Sequence, residues 1–191
     1  HALRPIRAQM QMIFQDSQSA LNPRLRVGAA IAEPMRAFGR HGSHAQRLAR
    51  AQALLAQVGL PAEFAGRYPH QLSGGQRQRI GIARALALEP RLVVADEIVS
   101  GLDVSVQAQI LALLASLRQA MQMALVFISH DLSVVRAICD RIAVMQEGRI
   151  VETGPTSQVF EDPQHPYTKR LLQAIPLPVV DDSWIGDDTA R

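Results

Sequence analysis

The chain holds a single lysine, Lys169, a single cysteine, Cys139, and few aromatic side chains, and each scarcity removes a class of protein. With aromatics at 4% the core must be built from Ala, Leu, Val and Ile, which suits helices packed on an aliphatic sheet. One cysteine excludes an internal disulfide, so nothing requires an oxidising compartment. Cys139 ends an apolar stretch from Val134 and is expected as a buried, inert thiol. No apolar run approaches the roughly 20 residues of a membrane-spanning helix. The start, His1-Ala2-Leu3-Arg4-Pro5, lacks the layout of a signal peptide. The expectation is a protein of the cytoplasm that meets a membrane only through a partner.

What is present fits one domain, or one domain with a small subdomain: 191 residues, 48% of them hydrophobic. The net charge of +3 and the isoelectric point near 9.7 come almost wholly from arginine. Those arginines are scattered through helical stretches and form no patch interleaved with aromatics, so no nucleic-acid partner is expected.

Along the chain, Gln11-Met12-Ile13-Phe14-Gln15 reads as a short strand ending at a glutamine, and Pro23 then breaks the path by forcing Asn22 out of helical geometry. Residues 27–60 turn helical. Leu48, Ala51, Leu55 and Val58 recur on one face, Gly39 to Gly42 form the loop between two helices, and Gly59 with Pro61 ends the second. Ser73 is placed to N-cap a helix whose Ile80, Ala83 and Ala87 share a face up to Pro90. Leu92-Val93-Val94-Ala95 reads as a fully buried parallel strand, with Asp96-Glu97 at its carboxyl end. A Leu/Ala-rich helix from Gln107 to Met121 precedes a strand, Ala124 to Ile128, that ends in Ser129-His130. Arg141 to Met145 and Arg149 to Glu152 read as a hairpin across Gln146-Glu147-Gly148. Strands alternating with helices, with polar groups at strand ends, predict a layered α/β sheet with its ligand at the carboxyl edge.

Five groups stand in order: Gln15, Leu72-Ser73-Gly74-Gly75-Gln76, Leu92 to Glu97, Ser100-Gly101-Leu102-Asp103, and His130. Together they resemble the ATP-binding-cassette ATPases over nearly the whole chain. A hydroxyl and glycine amides at a helix N-terminus offer donors and a positive dipole end to a phosphate. The resemblance implies that Ser73, Gly74, Gly75 and Gln76 bind the γ-phosphate of ATP held by another subunit, which makes the working unit a dimer of cassettes. It further implies that Asp96 and Gln15 serve Mg²⁺, that Glu97 polarises the attacking water, and that His130 contacts the γ-phosphate. Asp103 would cross the dimer interface, and the loop of Gln15 would lean on a membrane subunit. The implied fold is α/β of the P-loop NTPase (RecA-like) kind, N-terminally truncated. Residues 1–24 and 87–155 would be its partial core, 25–86 an inserted helical subdomain, and 156–191 a C-terminal helix and tail.

Gln15-Asp16 with Leu21-Asn22-Pro23-Arg24, the stretch Asp103 to Gln109, and the tail Pro163 to Thr168 with Leu171 to Pro176 are similar to the dipeptide/oligopeptide importer ATPases. This branch implies permease partners, an indirect solute-binding protein, and a place on the cytoplasmic face of the membrane. Some relatives carry a C-terminal cysteine cluster; this tail has none. Ile98-Val99 replaces the family's usual Pro-Thr or Pro-Val, which sets the turn that aims Glu97 less rigidly, and Gln71 stands where a glutamate is common.

The sequence contains no Gly-x-x-x-x-Gly-Lys-Ser/Thr segment, the loop that wraps phosphates in backbone amides, nor the upstream aromatic residue that stacks on adenine. The leading expectation is therefore part of a peptide-importer ATPase, inactive alone, whose Leu92 to Ala95 strand has an unpaired apolar edge that favours aggregation. A second is a non-catalytic subunit that lends its signature in trans. A third is a soluble cassette ATPase of DNA repair, translation or phosphonate metabolism.

Overall fold

The structure, a computed structural model, describes residues 3–15 and 21–174. It divides into two compact units, one through His130 and one from Asp131.

The first unit opens with a short helix the sequence reading did not foresee, α1 (Arg4–Gln9), with Pro5 in its first turn where a missing N–H costs nothing. It runs into β1 (Met10–Ile13). Helices α2 (Val27–Ala37) and α3 (His44–Gln57) follow, then two 3₁₀ turns, Ala62–Gly66 and Pro69–Gln71, and α4 (Gly74–Leu86). Ser43 caps α3 in a reciprocal box with Gln46. Gly59 closes that helix in the left-handed region, at φ 72°. Ile31, Met35, Leu54, Leu55, Ile80, Ile82 and Leu86 are sealed between these helices, each worth about 1.5–3 kcal/mol of burial. Arg84 ties α4 to Glu33 of α2 over 3.0 Å.

β2 (Leu92–Asp96), α5 (Val104–Met121) and β3 (Ala124–Ile128) complete the unit. Asp103 caps α5, which begins three residues earlier than Gln107 because that cap takes the Val106 amide. The three strands form one parallel sheet in the order β1-β2-β3, with Met10 opposite Leu92 and Leu92 opposite Ala124.

β2 is not an open edge: β1 and β3 occupy both of its sides, because its two neighbours both lie within these residues. The outer strands are the ones with exposed large apolar side chains, Met10, Met12 and Phe14 with β1, and Val126 and Ile128 in β3. Nor is β2 buried on both faces. Val93 and Ala95 are fully enclosed, while Leu92, Val94 and Asp96 on the opposite face are half-covered.

The second unit holds α6 (Leu132–Ile138), the antiparallel hairpin β4 (Arg141–Gln146) and β5 (Arg149–Pro155), α7 (Thr156–Glu161) and α8 (Pro166–Gln173). Cys139 is the half-buried C-cap of α6 and not a core thiol, since the helix ends there and the chain turns extended. Glu152 of β5 accepts the Gln164 and His165 amides at 2.8 and 3.0 Å, fixing the turn before α8. The predicted tail residues Ile175 and Pro176, like Asp16, lie outside the described residues.

Candidate functional site

Parallel pairing brings the carboxyl ends of β1, β2 and β3 to one edge, and there the predicted residues converge. Gln15 follows β1, Asp96 is the last residue of β2 with Glu97 just past it, and His130 follows β3. The Gln15 Nε2 donates to Glu97 Oε2 over 2.8 Å, and His130 Nδ1 meets Glu97 Oε1 at 3.0 Å. The contact is a hydrogen bond to a carboxylate oxygen in the tautomer that carries its proton on Nδ1. The Glu97 side chain is 27% exposed and that of His130 72%, so the pair lies open to an incoming ligand on the histidine side.

Glu97 is aimed by its backbone. Its N–H donates to the Ile128 carbonyl over 2.9 Å, extending the β2–β3 ladder by one residue, and its φ of 47° is left-handed. For a non-glycine residue that conformation costs about 1–2 kcal/mol and persists only where neighbours enforce it. Ile98 and Val99, both buried, anchor the chain directly behind it. The sequence could not reveal this strain, although the missing proline at 98 marked the turn as unusual.

A second cluster forms at the start of α4. Ser73 N-caps the helix, its Oγ accepting the Gln76 amide at 3.3 Å while Gln76 Oε1 accepts the Ser73 amide at 3.0 Å. The hydroxyl hydrogen of Ser73 and the amides of Gly74 and Gly75, which have no intrahelical acceptor, remain to be offered outward. Asp103 sits beside this turn, its Oδ1 engaged by the Val106 amide at 2.9 Å. The sequence reading missed Gln107, whose amide holds the Leu102 carbonyl at 2.9 Å and thereby fixes the residue before Asp103. Its signal was a glutamine one turn after a capping aspartate.

A groove of about 600 Å³ runs along β1, lined by Arg7, Met12, Phe14, Phe38 and Arg84 among others. Among the described residues no group of three or more His, Cys, Asp or Glu is placed to hold a metal. The oxygen donors present, Asp96 and the Gln15 amide, match the hard-cation preference of Mg²⁺, which binds few protein ligands and relies on phosphate and water for the rest. The residues thus fit that ion as partners of a phosphate.

Residues 1–100 match the ABC transporter family. The chain belongs to that ATP-binding-cassette family. Residues 151–188 match the oligopeptide/dipeptide transporter C-terminal region. The chain is 50% identical over 175 residues to the oligopeptide transport ATP-binding protein OppF of Escherichia coli (strain K12), covering 92% of this chain and 52% of that protein. It is 54% identical over 177 residues to the glutathione import ATP-binding protein GsiA of Salmonella choleraesuis (strain SC-B67), covering 92% of this chain and 28% of that one. A solved cassette, MJ0796 in a dimeric post-hydrolysis state bound to ADP and Pi, superposes with a TM-score of 0.70 at 32% identity, over 81% of this chain and 66% of its own. The chain spans about half the length of OppF relatives such as those of Haemophilus influenzae and Escherichia coli. The α/β cassette fold read from the residues is the fold found. Among the described residues no helix is long and apolar enough to cross a membrane.

Proposed function

We propose that these residues belong to the ATP-hydrolysing subunit of a peptide importer, and that the cluster at the sheet edge is its water-activating centre. The observation that carries the reading is the convergence of Gln15 and His130 on the Glu97 carboxylate, which joins the segments just beyond the ends of three strands. Glu97 is the base that orients and polarises water; His130 stabilises charge on the transferred phosphoryl group; Asp96 and Gln15 would hold Mg²⁺ beside ATP. When bound, that ion neutralises the phosphate charge that develops during transfer.

Ser73, Gly74, Gly75 and Gln76, with Asp103 alongside, act in trans on ATP held by a second cassette. The dimeric state named for MJ0796 supports that assembly. The groove beside β1 suits a permease segment, placing the subunit on the cytoplasmic face of the membrane, with a solute-binding protein upstream. The names of the relatives support peptides or glutathione-like solutes as cargo. Residues 25–86 form the helical subdomain, 1–24 and 87–155 the core, and 156–191 the importer-type tail.

The deciding experiment introduces E97Q into the chromosomal copy and measures uptake of a labelled oligopeptide. Loss of uptake with normal protein abundance is the expected result; undiminished uptake overturns the proposal. A second reading, a subunit that only lends its signature, draws on the complete Ser73–Gln76 turn in a sequence whose single lysine is Lys169. It predicts stimulation of a partner cassette by the 191-residue chain even when that chain carries E97Q.

A further inference from the structure

Gly75 lies in the first turn of α4, and a Cβ built there would stand 2.8 Å from Val106 Cγ1 in the first turn of α5. Contacts that short do not occur between real methyl groups, and Val106 cannot swing away cheaply, because a β-branched side chain in a helix has one strongly preferred rotamer. At the preceding residue, Gly74, the same construction meets Leu102 Cδ2 at an ordinary 3.7 Å. The intolerance is therefore specific to the pair Gly75 and Val106.

A second tie fixes the same two helices one turn further along. Arg79 donates through Nη2 to Gln109 Oε1 of α5 at 3.1 Å and through Nη1 to the Val58 carbonyl at 2.8 Å. Arg79 is four residues beyond Gly75, and Gln109 three beyond Val106, so both contacts lie on facing surfaces. The guanidinium sets the rotation of α4 against α5, and the valine sets their separation. The two caps at this end, Ser73 on α4 and Asp103 on α5, are thereby held in one fixed relation.

We infer that Val106 is a positioning residue for the signature: it seats the α4 N-terminus against the Asp103 turn, and Gly75 is glycine in order to receive it. This rests on the proposed trans role of Ser73 to Gln76 and goes beyond it, because it assigns the second glycine of the motif to a contact inside its own chain. A glycine required only for close approach of a phosphate would tolerate no alanine whatever stands at 106. A glycine required by Val106 tolerates alanine once the valine is shortened.

The test is a double-mutant cycle of G75A, V106A and G75A/V106A in the 191-residue chain. Each variant is mixed with Escherichia coli OppF whose own signature serine is replaced by arginine, and ATP hydrolysis is followed well below every melting midpoint. A misplacement near 1 Å costs on the order of 10²-fold in rate. G75A is accordingly expected to lower stimulated kcat by at least about tenfold, and the double variant to return within about threefold of the unmutated chain. Its melting midpoint should rise above that of G75A in parallel. A double variant as inactive as G75A overturns the inference, even if its melting recovers. If the unmutated chain gives no stimulation, the trans reading itself falls and the positioning role falls with it. A melting cycle that then shows no coupling between positions 75 and 106 would show separately that the contact is not formed.

Discussion

The side-chain amide of Gln15 donates to the carboxylate of Glu97 over 2.8 Å, although 82 positions separate them in the chain. That bond makes Glu97 the centre of the edge cluster, since His130 takes the other carboxylate oxygen. Removing the charge while keeping the shape separates the roles. In the assembled ATPase, E97Q should reduce turnover by about 10²–10⁴-fold, the usual worth of a general base. Q15A, which removes only one of the groups that orient that carboxylate, should cost far less. Steady-state phosphate release measures both.

The left-handed backbone at Glu97 predicts a conflict between stability and activity. Glycine adopts that conformation without the Cβ penalty, so E97G should melt at or above the temperature of the parent chain while losing turnover. Ile98, 1% exposed, is the anchor of the same turn. I98A should lower stability by about 2–4 kcal/mol through the cavity it leaves, read from urea unfolding.

Ser73 combines a structural and a proposed chemical task, and two substitutions divide them. S73A removes the cap on α4 and should destabilise by about 1 kcal/mol. S73D preserves the cap and complements the helix dipole, so its melting should match that of serine. Its negative charge, however, stands where a phosphate would approach. Stimulation of a partner cassette should therefore vanish in S73D despite an unchanged fold.

Glu152 predicts the pH response of the second unit. The Gln164 amide, foremost, with the nearby Thr168 hydroxyl and the His165 amide and ring, holds its carboxyl below the ordinary 4.5, against a smaller opposing effect of burial. A carboxyl whose folded value is lowered stabilises fully above its unfolded value, and that contribution fades as pH falls through the folded one. The protection of the Gln164 and His165 amides against hydrogen exchange, taken relative to the intrinsic rate at each pH, should fall on acidification below about pH 4.5. In E152Q the protection should be lower at neutral pH and should lose this acid-side dependence.

The outer strand β3 carries Val126 and Ile128 exposed, and its far edge has no partner among the described residues. Lysine on such an edge opposes pairing with another chain. V126K should reduce concentration-dependent light scattering of the 191-residue chain, whereas a matching change on the enclosed β2, V93K, should unfold it.

The three strands of the first unit were legible because each is a short apolar run, and the polar residues just beyond their ends, Gln15, Glu97 and His130, make up the edge cluster. Ser73 was legible as a cap because a hydroxyl followed by glycines and a glutamine three residues on has few other uses. Strand order was not legible: which run lies beside which is decided by the path of the intervening helices, so the open edge was assigned to β2 instead of to its neighbours. Six residues with Pro5 second among them carry too little periodicity to announce α1. The left-handed turn at Glu97 and the seat of Val106 on Gly75 arise only when distant segments are brought together, and no local pattern records them.

Parallel pairing of β1 with β2 closes a loop that contains the whole of α2, α3 and α4. Closures of that span are slow, since their entropy is lost before any strand contact repays it. During synthesis Gln15 leaves the ribosome before Glu97 and His130, so the edge cluster cannot close until both have followed it. The helices can pack first on local contacts, so the signature turn forms before the edge cluster does. The order in which the chain is made thus leaves the edge cluster to close after the signature turn.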